Sequence, residues 1–503
     1  MRVSLLFISF VLVKFSALAQ SDNKIVIGKI DSVYSKILQE PRKVWIYTPD
    51  MTSGNREPGK RYPVLYLLDG DAHFPSVMGL VQQLSQVNGN TILPEMIIVG
   101  IPNTDRTRDL TPTHVTNDPP FMDSSFSKTS GGGENFLAFM EKELMPHVDS
   151  LYPAAPYRVL VGHSFGGLIV LAALTNHTNL FNAHIAIDPS MWYDRERFLA
   201  AVEKKLTEKK YNGVRLYVGI ANTMSDGMTL TKLKKDTSVE TRHIRSIFAL
   251  DRFVKAHPQN GLLYASRYYN NDDHGSVPLA SEYDGLRFIF DYYRVPLTMN
   301  DFTDSSDTFV NKLKKHYTTV SKNIGFAVSP PELFINSLGY EAISKKWYKR
   351  AAALFTMNIA NYPASSNVYD SYGDLLVEVK DTLQAKAAYQ KALALKDNAF
   401  TRQKLNVLEG KEAFKLSTPE LQKYAGVYVM DSIGITITMQ VKDSALWAEV
   451  PGDGNFQLVP FSTDTFTLKN MSGYEVRFHT EGDKMVGFTS VQPNGTFKAR
   501  LKK

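Results

Sequence analysis

The six residues Gly162-His163-Ser164-Phe165-Gly166-Gly167 constrain this chain more than any other segment. They stand between a strand-like run at 157–161 and an apolar helical stretch at 168–174. A chain that turns from strand directly into helix holds its corner residue in a strained backbone conformation. Side chains flanking that corner would collide, so glycine is needed on both sides. The corner lifts the Ser164 hydroxyl above the sheet and aims it at the N-terminus of the following helix, where N–H groups favour negative charge.

The surrounding sequence supplies the sheet. Residues 25–298 alternate β-branched runs with amphipathic helical patterns, the mark of an α/β layer architecture. Strands are predicted at 43–47, 64–68, 96–99, 158–161, 183–187, 214–218 and 262–268. A helix over 134–148 carries Phe136, Phe139, Met140, Leu144 and Val148 at helical spacing. Uninterrupted apolar strands such as Val64-Leu65-Tyr66-Leu67-Leu68 suit a central, mostly parallel sheet. A G-x-S-x-G corner in this setting implies an α/β-hydrolase, whose base follows the serine far downstream on a loop after a strand. His274, in Asn271-Asp272-Asp273-His274-Gly275-Ser276, satisfies that order: it follows the strand at 262–268 and precedes a helix-like run at 282–293.

Four stretches in the same order carry a resemblance: Tyr62-Pro63-Val64-Leu65-Tyr66-Leu67-Leu68-Asp69-Gly70, Arg106-Thr107-Arg108-Asp109-Leu110-Thr111-Pro112, the serine corner, and Asp273-His274-Gly275-Ser276-Val277-Pro278. Residues 40–293 resemble the bacterial esterases that include enterochelin (siderophore) esterases and esterase D-like enzymes. The resemblance implies ester hydrolysis of siderophore lactones, carbohydrate-linked acyl groups or simple acyl esters. It implies an oxyanion hole from the Phe165 amide and from Asp71 or its neighbour Ala72. It also places the triad acid just after the strand at 214–218, in Gly219-Ile220-Ala221-Asn222-Thr223-Met224-Ser225-Asp226. Asp226 is the favoured acid and Glu240 a weaker one. Asn222 stands closest to the expected position but could not offset an imidazolium charge, and a Ser–His dyad stays open. Loops at the C-terminal ends of parallel strands gather where such folds bind ligand, which nominates Arg106, Arg108, Trp192 and Tyr193 as substrate contacts.

Beyond residue 325 the pattern changes. A 34-residue period aligns Gly339 with Gly373, Ala351 with Ala385 and Phe355 with Tyr389 over 325–412, after a polar stretch at 301–321. It resembles tetratricopeptide repeats, which could offer a protein partner a groove or serve as a spacer. Two repeats are fewer than the three usually needed alone, so the pair is expected to pack on a neighbour. Residues 417–503 read as an all-β domain with strands at 433–441, 445–450, 456–459, 465–468, 474–479 and 484–490. Its opening, Leu421-Gln422-Lys423-Tyr424-Ala425-Gly426-Val427-Tyr428, resembles small lipocalin-like β domains appended to bacterial hydrolases.

The absence of cysteine excludes disulfides, thiolate metal sites and a cysteine nucleophile. A formal charge of +6 over 503 residues is too weak and scattered to argue for nucleic acid. Residues 1–19 read as a cleaved signal peptide: Arg2, an apolar run from Leu5 to Val13, and Ala17-Leu18-Ala19 before the cut. The expectation is a periplasmic or secreted enzyme with no later transmembrane segment, no metal and no organic cofactor, acting on a small-molecule or glycan-linked ester. An acyltransferase of the same fold, or a scaffold with a vestigial hydrolase domain, are the alternatives.

Overall fold

Residues 25–502, apart from 50–59, 119–120, 412–413, 431–433, 453, 470, 483 and 493–494, are described by a computed structural model. The segment expected as a signal peptide lies outside the described residues. Among the described residues no helix is long and apolar enough to cross a membrane. The chain divides into two compact units. One reaches to Arg294 and includes Asn323–Phe326; the other holds Val295–Lys322 and Ala327–Lys503.

The first unit is built on β1 (Lys29–Ser35), β2 (Glu40–Tyr47), β3 (Tyr62–Leu68), β4 (Ile97–Ile101), β5 (Ala154–His163), β6 (Ala183–Ile187), β7 (Arg215–Ala221) and β8 (Leu263–Tyr269). They form one sheet in the order β1-β2-β4-β3-β5-β6-β7-β8. β1 and β2 pair antiparallel, as do β2 and β4, and every other pairing is parallel. Every residue of β3, β4 and β6 is buried, because a parallel sheet is covered on both faces. The covering helices include α1 (Gly70–Ser85), α2 (Phe165–Asn176), α3 (Arg197–Glu208), α4 (Arg242–Ala256) and α5 (Val277–Ile289). The helix expected at 134–148 runs from Gly133–Phe139 through a π turn at Met140–Leu144 into Met145–Leu151. α2 is apolar around its whole circumference, and all its residues from Phe165 to Thr175 are buried, as such a helix requires. The ladder register His163↔Ile187 and Ile187↔Gly219 puts the ends of β5, β6 and β7 side by side.

In the second unit, α7 (Glu332–Ser344) and α8 (Tyr348–Asn361) form one helical pair, α9 (Ser366–Glu378) and α10 (Thr382–Leu395) the next. The aligned residues of the 34-residue period meet within each pair. A methyl group on Gly339 would lie 2.5 Å from the Phe355 ring, and one on Gly373 would lie 2.4 Å from the Tyr389 ring. The polar stretch at 301–321 is largely helical instead. In α6 (Thr308–Ile324), Phe309, Val310 and Leu313 join Ile335, Ala351, Leu354 and Phe355 in one core. On the far side, α11 (Ala399–Leu408) sends Lys404 Nζ to Asp370 and Asp374 of α9, each at 2.8 Å.

The six C-terminal strands are present as β10 (Ile435–Lys442), β11 (Ala445–Val450), β12 (Gly454–Pro460), β13 (Thr465–Leu468), β14 (Met471–Glu481) and β15 (Lys484–Gln492), and two more close them into a barrel. These are β9 (Gly426–Met430) and β16 (Gly495–Leu501), paired at Val429↔Arg500 and Tyr428↔Leu501. Tyr428, Phe466, Phe478 and Phe488 pack the interior.

An exposed helical Gly→Ala change normally stabilises by about 1 kcal/mol. Gly373→Ala is expected to do the opposite, because Tyr389 is held by its hydroxyl on Asp374 at 2.7 Å and its ring has little room to withdraw. Thermal unfolding followed by circular dichroism should show a loss of about 1–3 kcal/mol. A variant as stable as wild type would contradict the close helix contact.

Candidate active site

Ser164 occupies the corner between β5 and α2 with φ 59° and ψ −114°, outside the usual regions for a residue with a Cβ. The neighbouring backbone clamps it: its N–H donates to Ile187 O at 2.9 Å, and its carbonyl accepts from Gly167 at 3.0 Å and Ser190 at 3.2 Å. A Cβ on Gly162 would meet the Gly166 backbone at 2.5 Å, and one on Gly167 would meet Pro189 at 2.7 Å. At Gly166 the nearest atom would be an ordinary 3.4 Å away. Steric need therefore falls on Gly162 of the short motif and on Gly167 just beyond it, rather than on Gly166. Ser164 Oγ is hydrogen-bonded to Ser190 Oγ at 3.2 Å rather than to His274.

His274 follows β8, and its ring packs against His163 with centroids 4.5 Å apart. Its Nδ1 lies 2.6 Å from Asp188 Oδ2. Asp226, the acid favoured from sequence, is exposed and holds no bond to His274, and Glu240 is exposed as well. Asn222 instead ties two loops together, its N–H donating to Asp272 O at 2.8 Å and its amide to Asn270 O at 3.0 Å. The carboxylate comes from the end of β6, one strand earlier than expected, next to the strand that carries Ser164. Asp188 is fully buried at φ 39°. Burial alone would raise its pKa, but hydrogen bonds from His243 and His274 outweigh it and hold the carboxyl well below the usual range. Its signal was present in sequence: an acid at a strand end, ahead of Pro189, in the right chain order.

Of the other nominated residues, Arg106 reaches the site through Nε and Nη2. Its Nε and Nη2 grip Asp69 at 2.6 and 3.0 Å, Nη2 also donates to His163 O at 3.2 Å, and the guanidinium lies over the Phe165 ring. Asp69 is buried, yet this pairing and Asn103 overcome the burial and keep it ionised. Asp71 is exposed in the first turn of α1, while the Ala72 N–H bonds inward to Asp69 O at 2.9 Å. Phe165 opens α2, so its amide lies in that helix's first turn. Arg108 turns away to Glu40 and Asp109 and lines a cleft of about 330 Å³ with Leu38 and Asn135. Trp192 and Tyr193 are 5% and 0% exposed. Trp192 stacks on Phe121 at 4.4 Å and the Tyr193 hydroxyl bonds Thr113 O, so both rings pack in the core against Phe165. Among the described residues, Asp188, His243 and His274 form the one group with potential metal-ligand atoms mutually within 4.8 Å. Their N–H bonds to Asp188 account for that closeness.

Behind the elbow lies a second histidine–acid pair that sequence reasoning missed. His73 Nδ1 is 3.4 Å from Glu282 Oε1, Ser76 Oγ is 3.3 Å from Glu282 Oε2, and the His73 ring meets His163 edge-on. Burial, followed by the neighbouring His274 and His73, pushes His163 down to about 3, so it is neutral. Burial pushes Glu282 up to about 8, only partly offset by Ser76. An unfolded glutamate releases its proton near about 4.3. Between those values the folded protein holds a proton that the unfolded chain has lost, so stability falls as pH rises through this window. Glu282→Gln should therefore melt higher than wild type at pH 9 in calorimetry and show a shallower decline from pH 5. Parallel pH profiles would contradict a protonated Glu282.

Comparison with known proteins fits this geometry. A family model described as "Putative esterase" matches residues 35–254. The chain is 30% identical over 173 residues to the ferri-bacillibactin esterase BesA of Bacillus subtilis, covering 33% of this chain and 60% of that protein. It is 30% identical over 164 residues to the apo-salmochelin esterase of Escherichia coli, 32% of this chain and 50% of its relative. The chain thus spans between 50% and 60% of the length of these two relatives. An IroE-like serine hydrolase from Shewanella oneidensis superposes with a TM-score of 0.56 at 29% identity, over 66% of this chain and 98% of that one. Strand order and elbow are those of an α/β-hydrolase fold, and residues 35–254 within it are similar to the esterase family.

Proposed function

We propose that this chain is an exported serine esterase that cleaves carboxylic esters through an acyl-enzyme on Ser164, with siderophore lactones or carbohydrate-linked acyl esters as substrates. The observation that carries the reading is the His274 Nδ1–Asp188 Oδ2 bond of 2.6 Å, one strand end away from a serine held on a strained elbow. Ser164 Oγ rotates from Ser190 toward His274 Nε2, gives up its proton there and attacks the ester carbonyl. Asp188, kept ionised, stabilises the imidazolium that forms. The amides of Phe165 and Asp71 frame the developing oxyanion, and two such donors are worth about 3 kcal/mol each. His274 returns the proton to the leaving alcohol, and water releases the acyl group by the reverse path. The named substrates of the relatives, bacillibactin and salmochelin, motivate the siderophore part of the proposal.

A fluorophosphonate probe should label wild-type protein and fail to label Ser164→Ala. That variant should lose p-nitrophenyl butyrate hydrolysis, and retention of more than about a hundredth of the wild-type rate would exclude the mechanism. Asp188→Asn should lower kcat by about 10⁴ through the wrong imidazole tautomer. Asp226→Ala should stay near wild type, and the reverse ranking of the two would return the acid to the β7 loop.

A further inference from the structure

Asp188 serves two imidazoles. Oδ1 accepts the Ala221 N–H at 2.9 Å, while Oδ2 accepts from His274 Nδ1 at 2.6 Å and from His243 Nε2 at 2.8 Å. A carboxylate oxygen presents two lone-pair directions. With Ala221 on one oxygen and His243 on the other, the carboxylate plane is fixed, and the remaining direction of Oδ2 faces His274. His243 is buried in the first turn of α4, and its ring meets that of His274 edge-on at 5.2 Å between centroids. The turn is itself anchored. Arg242 pairs with Asp118 at 2.6 Å and lies over the Phe121 ring.

A buried histidine is often only packing, and this domain contains such a case. His184 is fully buried, its ring edge-on to Phe181 and its polar contact made to the Arg215 backbone rather than to a carboxylate. His243 differs because its N–H reaches the same oxygen atom that His274 uses. We propose that His243 is a positioning residue for the hydrolysis: its Nε2–H locks Asp188 in the rotamer that accepts the His274 Nδ1–H, and so keeps His274 in the tautomer whose Nε2 can take a proton. This inference rests on the esterase reading above.

The test compares His243→Leu, His243→Asn and His243→Gln in the full chain with p-nitrophenyl butyrate. The glutamine amide reaches the place of Nε2, whereas the asparagine amide stops near Nδ1, short of Asp188. His243→Leu and His243→Asn should lose about tenfold to a hundredfold in kcat with KM nearly unchanged, the size expected for a small misplacement of a reacting group. His243→Gln should recover most of that loss. The low-field proton resonance of His274 Nδ1–H should persist in wild type and His243→Gln and shift or vanish in His243→Asn. If His243→Leu fails to fold, the asparagine–glutamine comparison alone decides. Equal kcat in those two variants, or an unmoved resonance in His243→Asn, overturns the role. Ser164→Ala runs alongside: hydrolysis surviving there sinks the esterase reading, whereas its loss together with a normal His243→Asn sinks only the role of His243.

Discussion

Ser164 holds a backbone conformation that costs a residue with a side chain on the order of 1–3 kcal/mol, and its surroundings are arranged to sustain it. Its N–H is tied to the end of β6 and its carbonyl to Gly167 and Ser190. The packing that permits the turn also sets the acid. Gly167 must lack a Cβ because Pro189 rests against it, and Pro189 directly follows Asp188. The corner after β5 and the corner after β6 are thus one unit, with both Ser164 and Asp188 at positive φ. Loosening either would move nucleophile and acid together.

Charge is distributed around this unit in one direction. Burial strips the proton from His163, whose ring lies against His274, so no second positive charge opposes an imidazolium there. Glu282 keeps its proton, and the charge of Asp69 is taken up by Arg106 in a two-pronged pair. Asp188 is left as the buried carboxylate that touches His274. Arg106 meanwhile joins three strand ends, from its own loop after β4 to Asp69 after β3 and to the carbonyl of His163 on β5. It acts as a strut between the loop after β4 and the elbow.

The parts of the design that repeat locally were legible in the sequence. The apolar strands, the elbow between strand and helix, the chain order that points to His274 and the 34-residue period are all carried by spacing along the chain. The acid was not. Asp188 and Asp226 each follow a strand that ends at the same edge, and only the three-dimensional path of the loop after β8 selects between them. Trp192 and Tyr193 show a related point: being on a loop at the correct end does not reveal which way a ring faces, and both turn into the core. α6 was hidden by its lysines, since Phe309, Val310 and Leu313 occupy one stripe of an otherwise polar helix. The closing strands β9 and β16 pair with each other from the two ends of their domain, a contact that no local window contains.

That hidden helix changes the argument about the repeats. A pair of helical repeats alone lacks the neighbours that bury its outer faces, hence the expectation that it packs on a neighbour. Within its own unit the pair already has them. α6 contributes Phe309, Val310 and Leu313 to the core of the first repeat, and α11 covers the second through Lys404 and through Thr401, whose hydroxyl donates to Asp370 at 2.8 Å. Asp370 sits where burial raises its pKa against the pull of Lys404, so this ionic contact is sheltered rather than a loose surface pair. The helical segment therefore draws its stability from its own flanking helices. Every residue assigned to the catalytic machinery precedes Arg294, inside the first unit.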